Sequence, residues 1–312
     1  MKASFKNNNQ IAIILCTYNG AQYLSEQLES IIKQTFSNWT LYIRDDGSTD
    51  NTIEIIHNYL LLDNRIIFCE KLEKHIGPQK GFIGMLECVE SELYMFCDQD
   101  DVWLPTKIQL SVDVYNDIYV KNPCKPIVVH TDVAVVDENL AVLESSHWLS
   151  CRLNPDELKN YNYLAICCYT QGNTMLFNNE AKKISFPYSG EFMHDWWIST
   201  RVIKSKGIIK SIYIPTLLYR QHSKNNVGAK KLYSFKYLKS RLLNLKETRD
   251  SINKTRIQAE EFCNTFGMDD NYLIYLYSQL SNVSKFRRIS FYIKNKIWKS
   301  GLVRNLGLII YG

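Results

Sequence analysis

The stretch LYMFCDQDDVW, residues 93–103, joins an apolar run to a cluster of acids. The run Leu93–Cys97 has the length and composition of a strand that is buried on both faces. Asp98, Asp100 and Asp101 follow at once, at the end of that strand, where the repulsion between carboxylates is hardest to screen. This placement favours a functional site, and the alternative is a solvated turn whose aspartates cap the next helix.

Strands and helices alternate on the N-terminal side of this stretch. Apolar runs predict buried strands over residues 11–16, 41–44 and 66–69. Apolar residues three or four positions apart predict a helix after each of these strands, beginning with one over residues 23–34. The alternation predicts an α/β fold, with a mostly parallel sheet and helices on both faces. The apolar helix positions are Leu24, Leu28, Ile31, Ile32, Ile53, Ile56, Leu60, Phe82, Met85, Leu86 and Val89.

Polar clusters follow three of the predicted strands, at residues 17–19, 45–50 and 98–101. We expect them at one edge of the sheet, because parallel sheets bind ligands beyond the carboxyl ends of their strands. Neither G-x-G-x-x-G nor G-x-x-x-x-G-K-[ST] follows a predicted strand, so a bound phosphate would need another source of positive charge. The D-x-D pair Asp98 and Asp100 offers the hard oxygen ligands that Mg²⁺ and Mn²⁺ prefer. A divalent cation would also make the crowded carboxylates tolerable.

The composition is that of an ordinary globular protein of 312 residues, 46% hydrophobic and 22% charged. Its nine cysteines are scattered without C-x-x-C spacing, which favours a reducing compartment over a disulfide framework. No apolar run approaches the roughly 20 residues of a membrane span. We therefore expect a cytoplasmic protein, either free or bound to a surface.

The net charge of the chain changes sign near residue 228. Residues 229–312 carry 16 basic and 6 acidic side chains, while residues 1–228 carry 21 and 26. From residue 281 onward, seven basic residues are interleaved with apolar ones and no acid occurs. This contrast predicts a catalytic domain over 1–228 and a basic, mainly helical region over 229–312. The basic region favours an anionic membrane surface, with packing on the first domain as the alternative; nucleic acid is not expected, since no binding motif accompanies the charge.

Short motifs occur in a fixed order along the chain. They are CTYNG at 16–20, RDDGSTD at 44–50, CDQDDVWLPTKI at 97–108, HDWW at 194–197, and YRQH with NNVG at 219–228. In this order and at these separations they resemble the family 2 glycosyltransferases of GT-A fold, most of all a rhamnosyltransferase-like bacterial branch. The resemblance covers about residues 10–228. It implies a Rossmann-like sheet and the inverting transfer of a sugar from a nucleotide-diphosphate donor, UDP- or dTDP-linked, to an acceptor hydroxyl.

The resemblance places the donor site on the first three motifs. Asp46 matches the acid that hydrogen-bonds a pyrimidine N–H, and Tyr18 offers a ring to stack on the base. Asp98 matches the acid that contacts the ribose. Asp100 and His222 match metal-binding positions, which implies Mn²⁺ or Mg²⁺ as cofactor. The nucleotide-sugar-binding residues implied in this way are Thr17, Tyr18, Asn19, Asp46, Asp98 and Asp100.

The acceptor site falls in the second half of the predicted domain. Asp195 matches the catalytic base, and His194 stands where the family usually has Glu, which makes it a rival base. Trp196 and Trp197 are suited either to stacking on a sugar or to anchoring a helix in the core. The loop Gly172, Asn173 and Thr174 matches one that lines the acceptor pocket.

Four further polar residues have open interpretations. Arg220 is a candidate for neutralising phosphate or an ordinary loop residue. His130 and Asp132 lie near the cleft or in the core, and Lys107 is interpreted as a solvated charge.

The predicted function is therefore an inverting glycosyltransferase, with rhamnose as a candidate sugar, in bacterial surface polysaccharide synthesis at the inner face of the membrane. Its expected acceptor is a saccharide or a lipid-linked saccharide. One alternative is a metal-dependent phosphatase or nucleotidyltransferase, although the first strand ends in Cys16 and Thr17 and not in a nucleophilic Asp. Another is a non-catalytic adaptor that binds nucleotide sugar at a membrane, against which the presence of Asp195 counts.

Overall fold

A computed structural model describes residues 9–69, 75–164, 167–188, 193–223, 245–267, 272–298, 305 and 308–310. Its strands are β1 Ile11–Thr17, β2 Trp39–Asp45, β3 Ile66–Phe68, β4 Leu93–Cys97, β5 Val102–Trp103, β6 Ile127–Val136, β7 Val142–Glu144, β8 Met175–Asn178 and β9 Ile208–Arg220. They form one nine-stranded sheet in the order β3-β2-β1-β4-β8-β6-β9-β5, with β7 paired to β6. The predicted strands of the N-terminal half are thus confirmed, with ends that differ by one or two residues.

The helices are α1 Leu24–Ile32, α2 Thr52–Leu62, α3 Gly77–Cys88, α4 Lys107–Tyr119, α5 His147–Ser150, α6 Tyr161–Leu164, α7 Asn179–Ile184, α8 His194–Lys204, α9 Leu245–Phe266, α10 Tyr272–Ser278 and α11 Lys285–Lys294. The first three follow β1, β2 and β3 in turn, as the apolar spacing predicts. A short 3-10 turn, Gly172–Thr174, precedes β8.

Parallel and antiparallel pairs are both present in the sheet, and β6 pairs in parallel with β9. β3, β2, β1 and β4 pair in parallel, with Thr17 opposite Asp45 and Leu15 opposite Cys97, so that their carboxyl ends meet at one edge. β8 then runs antiparallel to both β4 and β6, and β5 and β7 also pair antiparallel. The expected mostly parallel sheet is corrected to a mixed one, because continuous burial marks a strand covered on both faces without giving its direction.

Helices cover both faces of the sheet, as predicted. Ile11, Ile13 and Leu15 of β1 pack with α1, α2 and α4, whereas Ala12 and Ile14 pack with α3 and α8. Successive strand residues point to opposite faces, so one apolar strand contributes side chains to two cores. Because side chains on both faces of β1 are packed, the loop that follows β1 starts from a fixed position at the edge of the sheet.

The C-terminal helices pack on α8. Trp197 is fully buried and joins Phe262 and Tyr277 of α9 and α10 with Tyr292 of α11 in a third apolar cluster. Among the described residues no helix is long and apolar enough to cross a membrane. The packing alternative therefore holds for these helices, while the predicted boundary at residue 228 lies outside the described residues.

Candidate active site

Loops from the ends of β1, β2 and β4 meet at the carboxyl edge of the sheet. Gln99 joins two of them, because its Oε1 accepts the N–H of Tyr18 at 2.9 Å and its Nε2 donates to the carbonyl of Tyr18 at 3.1 Å. A Cβ on Gly20 would lie 2.2 Å from Gln99 Oε1, so any larger residue there would displace the Gln99 amide. The polar clusters predicted from sequence at residues 17–19 and 98–101 are therefore brought together.

The loop after β2 is held by Asp45. One carboxylate oxygen accepts from the Thr17 hydroxyl at 2.8 Å and from Ser48, and the other accepts the N–H groups of Gly47 and Ser48. Asn19 adds a link through Oδ1, which accepts the N–H of Thr49 at 2.8 Å. Thr17 is buried, so its hydroxyl positions the loop, and its predicted contact with a nucleotide gains no support from this placement. The contact of Asn19 with a nucleotide stays a prediction.

Asp46 is neutralised by the protein itself. Its carboxylate accepts from Arg44 Nη2 at 2.6 Å and from the N–H groups of Ile76 and Gly77, at the start of α3, at 3.0 and 2.8 Å. Burial acts to raise the pKa of Asp46, but the hydrogen bonds from Arg44, Gly77 and Ile76 outweigh it and lower the pKa. The Oδ2 atom accepts the Gly77 N–H, and the predicted pyrimidine contact of Asp46 stays a prediction. Beside this loop the ring of Tyr18 is 52% exposed and available for stacking.

The acids after β4 have a different environment. The Asp98 side chain receives no hydrogen bond in the described ranges, and burial followed by the charges of Asp100 and Asp195 raises the pKa of Asp98 to about 7. Asp101 is fully buried and accepts from Asn173 Nδ2 at 2.6 Å and from the N–H of Arg220 at 3.2 Å. Asp101 is thus a support inside the fold and does not act as a solvated helix cap.

The two predicted metal ligands lie together. His222 Nε2 is 2.8 Å from Asp100 Oδ2, and both side chains are mostly buried. Among the described residues no group of three or more His, Cys, Asp or Glu side chains is arranged to hold a metal by itself. Magnesium-type ions are commonly bound by one or two carboxylates plus substrate phosphates, and Asp100 with His222 fits that mode of binding.

Asp195 lies in the first turn of α8, where a helix N-terminus stabilises a carboxylate. Its Oδ2 accepts the N–H of Gly172 at 3.1 Å, and its Oδ1 accepts the N–H of Trp196 at 2.7 Å. The side chain is only partly buried, and its charge reaches Asp98. Asp195 therefore borders the acid cluster, and its side chain is partly exposed.

His194 is a poorer candidate for the base. Its ring is buried, stacked on Phe82 at 4.7 Å and edge-on to Phe96 at 4.8 Å. Burial lowers the pKa of His194, and the nearby charge of Asp195 opposes this effect only in part. Burial therefore favours the neutral form of the ring and shields it from solvent. A Cβ on Gly172 would lie 2.6 Å from His194 Nε2, so the ring also fills the space beside that glycine.

The turn Gly172–Thr174 is hydrogen-bonded to two acids, Asp195 and Asp101. Gly172 binds Asp195 through its N–H, Asn173 binds Asp101 through its side chain, and Thr174 Oγ1 donates to the carbonyl of Gln171. All three residues of the turn are buried. Their predicted contact with an acceptor gains no support from this burial.

Several open interpretations are decided by burial. His130 is fully buried beside Ser211, and desolvation lowers its pKa to about 3, so it is a core histidine. Asp132 is also buried and accepts the N–H of Trp148. Lys107, interpreted as a solvated charge, is instead fully buried near the Trp103 ring, and desolvation lowers its pKa to about 7.

The two tryptophans of the HDWW motif have structural contacts. Trp197 is a core residue whose Nε1 donates to the carbonyl of Ser185. Trp196 is partly buried and its Nε1 donates to the carbonyl of Leu164, so stacking on a sugar stays a prediction for this residue alone.

Sequence reasoning missed the residues that hold the site together. Gln99 lies between the two acids of D-x-D, and its amide is the one side chain type there that can both donate and accept. No local pattern gives the roles of Arg44, although it opens the RDDGSTD motif, or of the backbone N–H groups of residues 76 and 77, since these roles depend on how the fold surrounds Asp46.

Comparison with known proteins connects this geometry to an activity. The family model described as "Glycosyl transferase family 2" matches residues 12–177. The chain is 28% identical over 254 residues to "dTDP-rhamnosyl transferase RfbG" of Shigella flexneri, which covers 77% of this chain and 82% of that protein. It is also 28% identical over 222 residues to "UDP-Glc:alpha-D-GlcNAc-diphosphoundecaprenol beta-1,3-glucosyltransferase WfaP" of Escherichia coli, with coverage of 71% and 80%.

A solved structure shares the fold. The 1–349 fragment of TarS from S. aureus, crystallised with UDP-GlcNAc, aligns with a TM-score of 0.53 at 17% identity. The alignment covers 96% of this chain and 90% of that one. It confirms the predicted α/β architecture.

Proposed function

The chain belongs to glycosyl transferase family 2, and on that premise we propose that it is an inverting, metal-dependent glycosyltransferase. A nucleotide-sugar donor is supported by relatives whose names specify dTDP-rhamnosyl and UDP-glucosyl transfer. The observation that carries the proposal is the position of Asp195, an accessible carboxylate held by Gly172 next to the acids of the D-x-D motif.

In the proposed reaction Asp195 accepts the proton of the acceptor hydroxyl while the hydroxyl oxygen attacks the anomeric carbon. The bond from that carbon to the diphosphate breaks on the opposite side, which inverts the anomeric centre. Gly172 and the N-terminus of α8 fix the carboxylate before the acceptor arrives, so little reorganisation is needed during the reaction. No covalent intermediate with the protein is required.

A divalent cation would act as a Lewis acid on the diphosphate leaving group. Asp100 and His222 are the residues of this chain that would hold Mn²⁺ or Mg²⁺, with diphosphate oxygens as further ligands. Tyr18, Asp46 and Asp98 would bind the nucleoside part of the donor.

The acceptor is proposed to be a lipid-linked saccharide at the inner face of the cell membrane, with the chain acting in surface polysaccharide synthesis. The name of the relative from Escherichia coli specifies a diphosphoundecaprenol-linked acceptor, which supports this class. The proposed donor sugar is rhamnose, for which the relative from Shigella flexneri is the support.

One face of α11 is suited to that membrane. Phe286 is 86% exposed and Ile293, two turns later, is 59% exposed, with Lys285, Arg287 and Lys294 exposed around them. Tyr292 and Ile297 are buried against the other helices, so only part of the predicted amphipathic stretch is available. Each basic residue near an anionic surface contributes about 1 kcal/mol, and the two apolar side chains add insertion energy.

Replacing Phe286 and Ile293 together by Ser should reduce co-sedimentation with anionic vesicles, and unchanged sedimentation would remove α11 from the membrane role.

The function is tested with purified full-length chain, a panel of UDP- and dTDP-sugars and a synthetic lipid-diphosphate saccharide. We expect a product one sugar heavier by mass spectrometry, with an inverted anomeric configuration by NMR, and loss of activity in EDTA that Mn²⁺ or Mg²⁺ restores. Release of a sugar phosphate without transfer would favour a phosphatase-type reaction. Retained configuration or full activity in EDTA would contradict the proposed mechanism.

A further inference from the structure

Arg220 ends β9 and is 1% exposed, yet it contacts four parts of the active-site edge. Its Nε donates to the carbonyl of Asp100 at 2.9 Å and its backbone N–H donates to Asp101 Oδ1 at 3.2 Å. Its Nη1 donates to the carbonyl of Glu138 at 2.6 Å, and its Nη2 pairs with the carboxylate of Glu26. The guanidinium is therefore fully engaged inside the protein and is not open to a phosphate, which corrects the expectation from the sequence.

The contacts of Arg220 fix both halves of the Asp100–His222 pair. Asp100 is held through its backbone carbonyl, which ties the loop that carries its carboxylate to the end of β9. His222 lies two residues after Arg220 in the chain, beyond the point where Arg220 pairs with Val136 of β6. One residue thus sets the position of the loop after β4 relative to the segment that carries the histidine.

Tyr23 connects the same two residues from the other side. Its ring lies 4.5 Å from the Arg220 guanidinium and 4.9 Å from the His222 ring. Glu26 follows on α1, one turn from Tyr23, and neutralises the guanidinium. Arginine suits this position because its planar group donates in several directions at once, which a lysine ammonium cannot reproduce.

We propose that Arg220 is a positioning residue that aligns Asp100 with His222 for a divalent cation bound with the donor diphosphate. This inference rests on the proposed function. Groups that orient metal ligands without touching the metal typically change metal affinity by about 10- to 100-fold when they are replaced.

The test measures Mn²⁺ binding to the full chain by electron paramagnetic resonance, with UDP and with dTDP in separate titrations. Arg220→Lys should raise the half-saturating Mn²⁺ concentration by about 10- to 100-fold. Glu26→Gln, which leaves Arg220 in place but removes its carboxylate partner, should shift it in the same direction by less. Glu26 is more than half exposed, so this variant keeps the test valid if Arg220→Lys folds poorly.

Arg65→Lys is the matched control. Arg65 pairs with Asp63, donates to the carbonyl of Ser37 and stacks at 3.7 Å on Trp39, but it lies before β3 at the opposite edge of the sheet. It should lose thermal stability without a change in Mn²⁺ binding. Wild-type binding that persists unchanged in both Arg220→Lys and Glu26→Gln would overturn the positioning role alone. Wild type that binds no Mn²⁺ with either nucleotide would instead overturn the proposed metal site and this inference with it.

Discussion

Adjacent aspartates stand at the ends of the two strands that flank β1, Asp45 with Asp46 at the end of β2 and Asp100 with Asp101 shortly after β4. The first pair is surrounded by donors, since Arg44 and backbone N–H groups of the nearby loops occupy its oxygens. The second pair also has partners, His222 on Asp100 and Asn173 with the Arg220 N–H on Asp101. Asp98, which precedes this pair, has no donor in the described part of the chain, and burial first of all raises its pKa to about 7. The same local sequence therefore gives one loop that is electrostatically complete and one that would be completed by an added cation.

This difference separates a structural use of strand-end acids from a chemical one. Where the fold supplies the positive charge, the carboxylate organises a loop and its pKa falls, as for Asp46. Where the fold supplies less of that charge, like carboxylates remain crowded, and a proton or a bound cation relieves their repulsion. The comparison can be tested by replacing single carboxylates with amides in the two regions, because Asn keeps the shape of Asp and removes its charge.

The largest effect is expected for Asp100→Asn. The amide is a poor ligand for a hard cation, so transfer should fall by about 10⁴-fold at fixed Mn²⁺, since Lewis-acid stabilisation is worth several kcal/mol. The rate of sugar transfer against Mn²⁺ concentration provides the measurement. Asp117→Asn, an exposed acid on α4, is the control and should behave as wild type. Transfer by Asp100→Asn at the wild-type rate would remove this acid from the metal site.

Asp195→Asn is expected to cut transfer by about 10²- to 10⁴-fold, the usual value of a general base. The affinity for UDP or dTDP, measured by calorimetry, should stay near wild type because other residues hold the nucleotide. Asp156→Asn serves as control, since that carboxylate pairs with Lys159 on the surface. If Asp195→Asn kept most of its activity while His194→Ala lost it, the base would be His194.

Asp46→Asn should act on stability. It leaves the guanidinium of Arg44, which is 1% exposed, without its carboxylate, and breaking a buried ion pair costs about 3 kcal/mol. Urea unfolding of the metal-free protein at neutral pH measures the loss. Asp63→Asn is a comparison at the far edge, where Arg65 is partly exposed and the loss should be smaller. An unchanged free energy of unfolding in Asp46→Asn would mean that the first loop is not neutralised by Arg44.

The sequence predicts the regular part of this architecture well. Apolar runs and helical spacing locate β1 to β4 and α1 to α3 because local burial patterns determine those elements. They do not give the direction of β8, which depends on how the chain returns to the sheet after residue 137. Likewise the motifs locate the acids but not their donors, and the buried states of Lys107 and His130 depend on contacts that no local pattern encodes.

The site was predictable in the same uneven way. Asp98, Asp100, Asp195 and His222 do assemble at the edge that the strand-end rule indicates. The sequence leaves Arg220 open between a phosphate contact and an ordinary loop residue, whereas the fold buries it at the end of β9 as a link between loops. Position along the chain indicates which residues approach the site, and tertiary packing decides which of them remain open to a substrate.

The smallest effect is expected for Asp98→Asn, and it is the sign of the change in the free energy of unfolding that matters here. In the metal-free protein the Asp98 carboxylate has charged neighbours of like sign, Asp100 and Asp195, and no hydrogen bond to lose in the described residues. Removing its charge should leave the free energy of unfolding unchanged or raise it, by on the order of 1 kcal/mol. This is opposite in sign to Asp46→Asn, although both replacements turn a partly buried acid at a strand end into its amide. Urea unfolding at neutral pH with EDTA measures this change. With Mn²⁺ and UDP added, wild type should become more stable than Asp98→Asn, since wild type then gains binding energy that the variant lacks. A loss of several kcal/mol in EDTA would mean that Asp98 already has a partner within the protein, and the contrast between the two loops would fail.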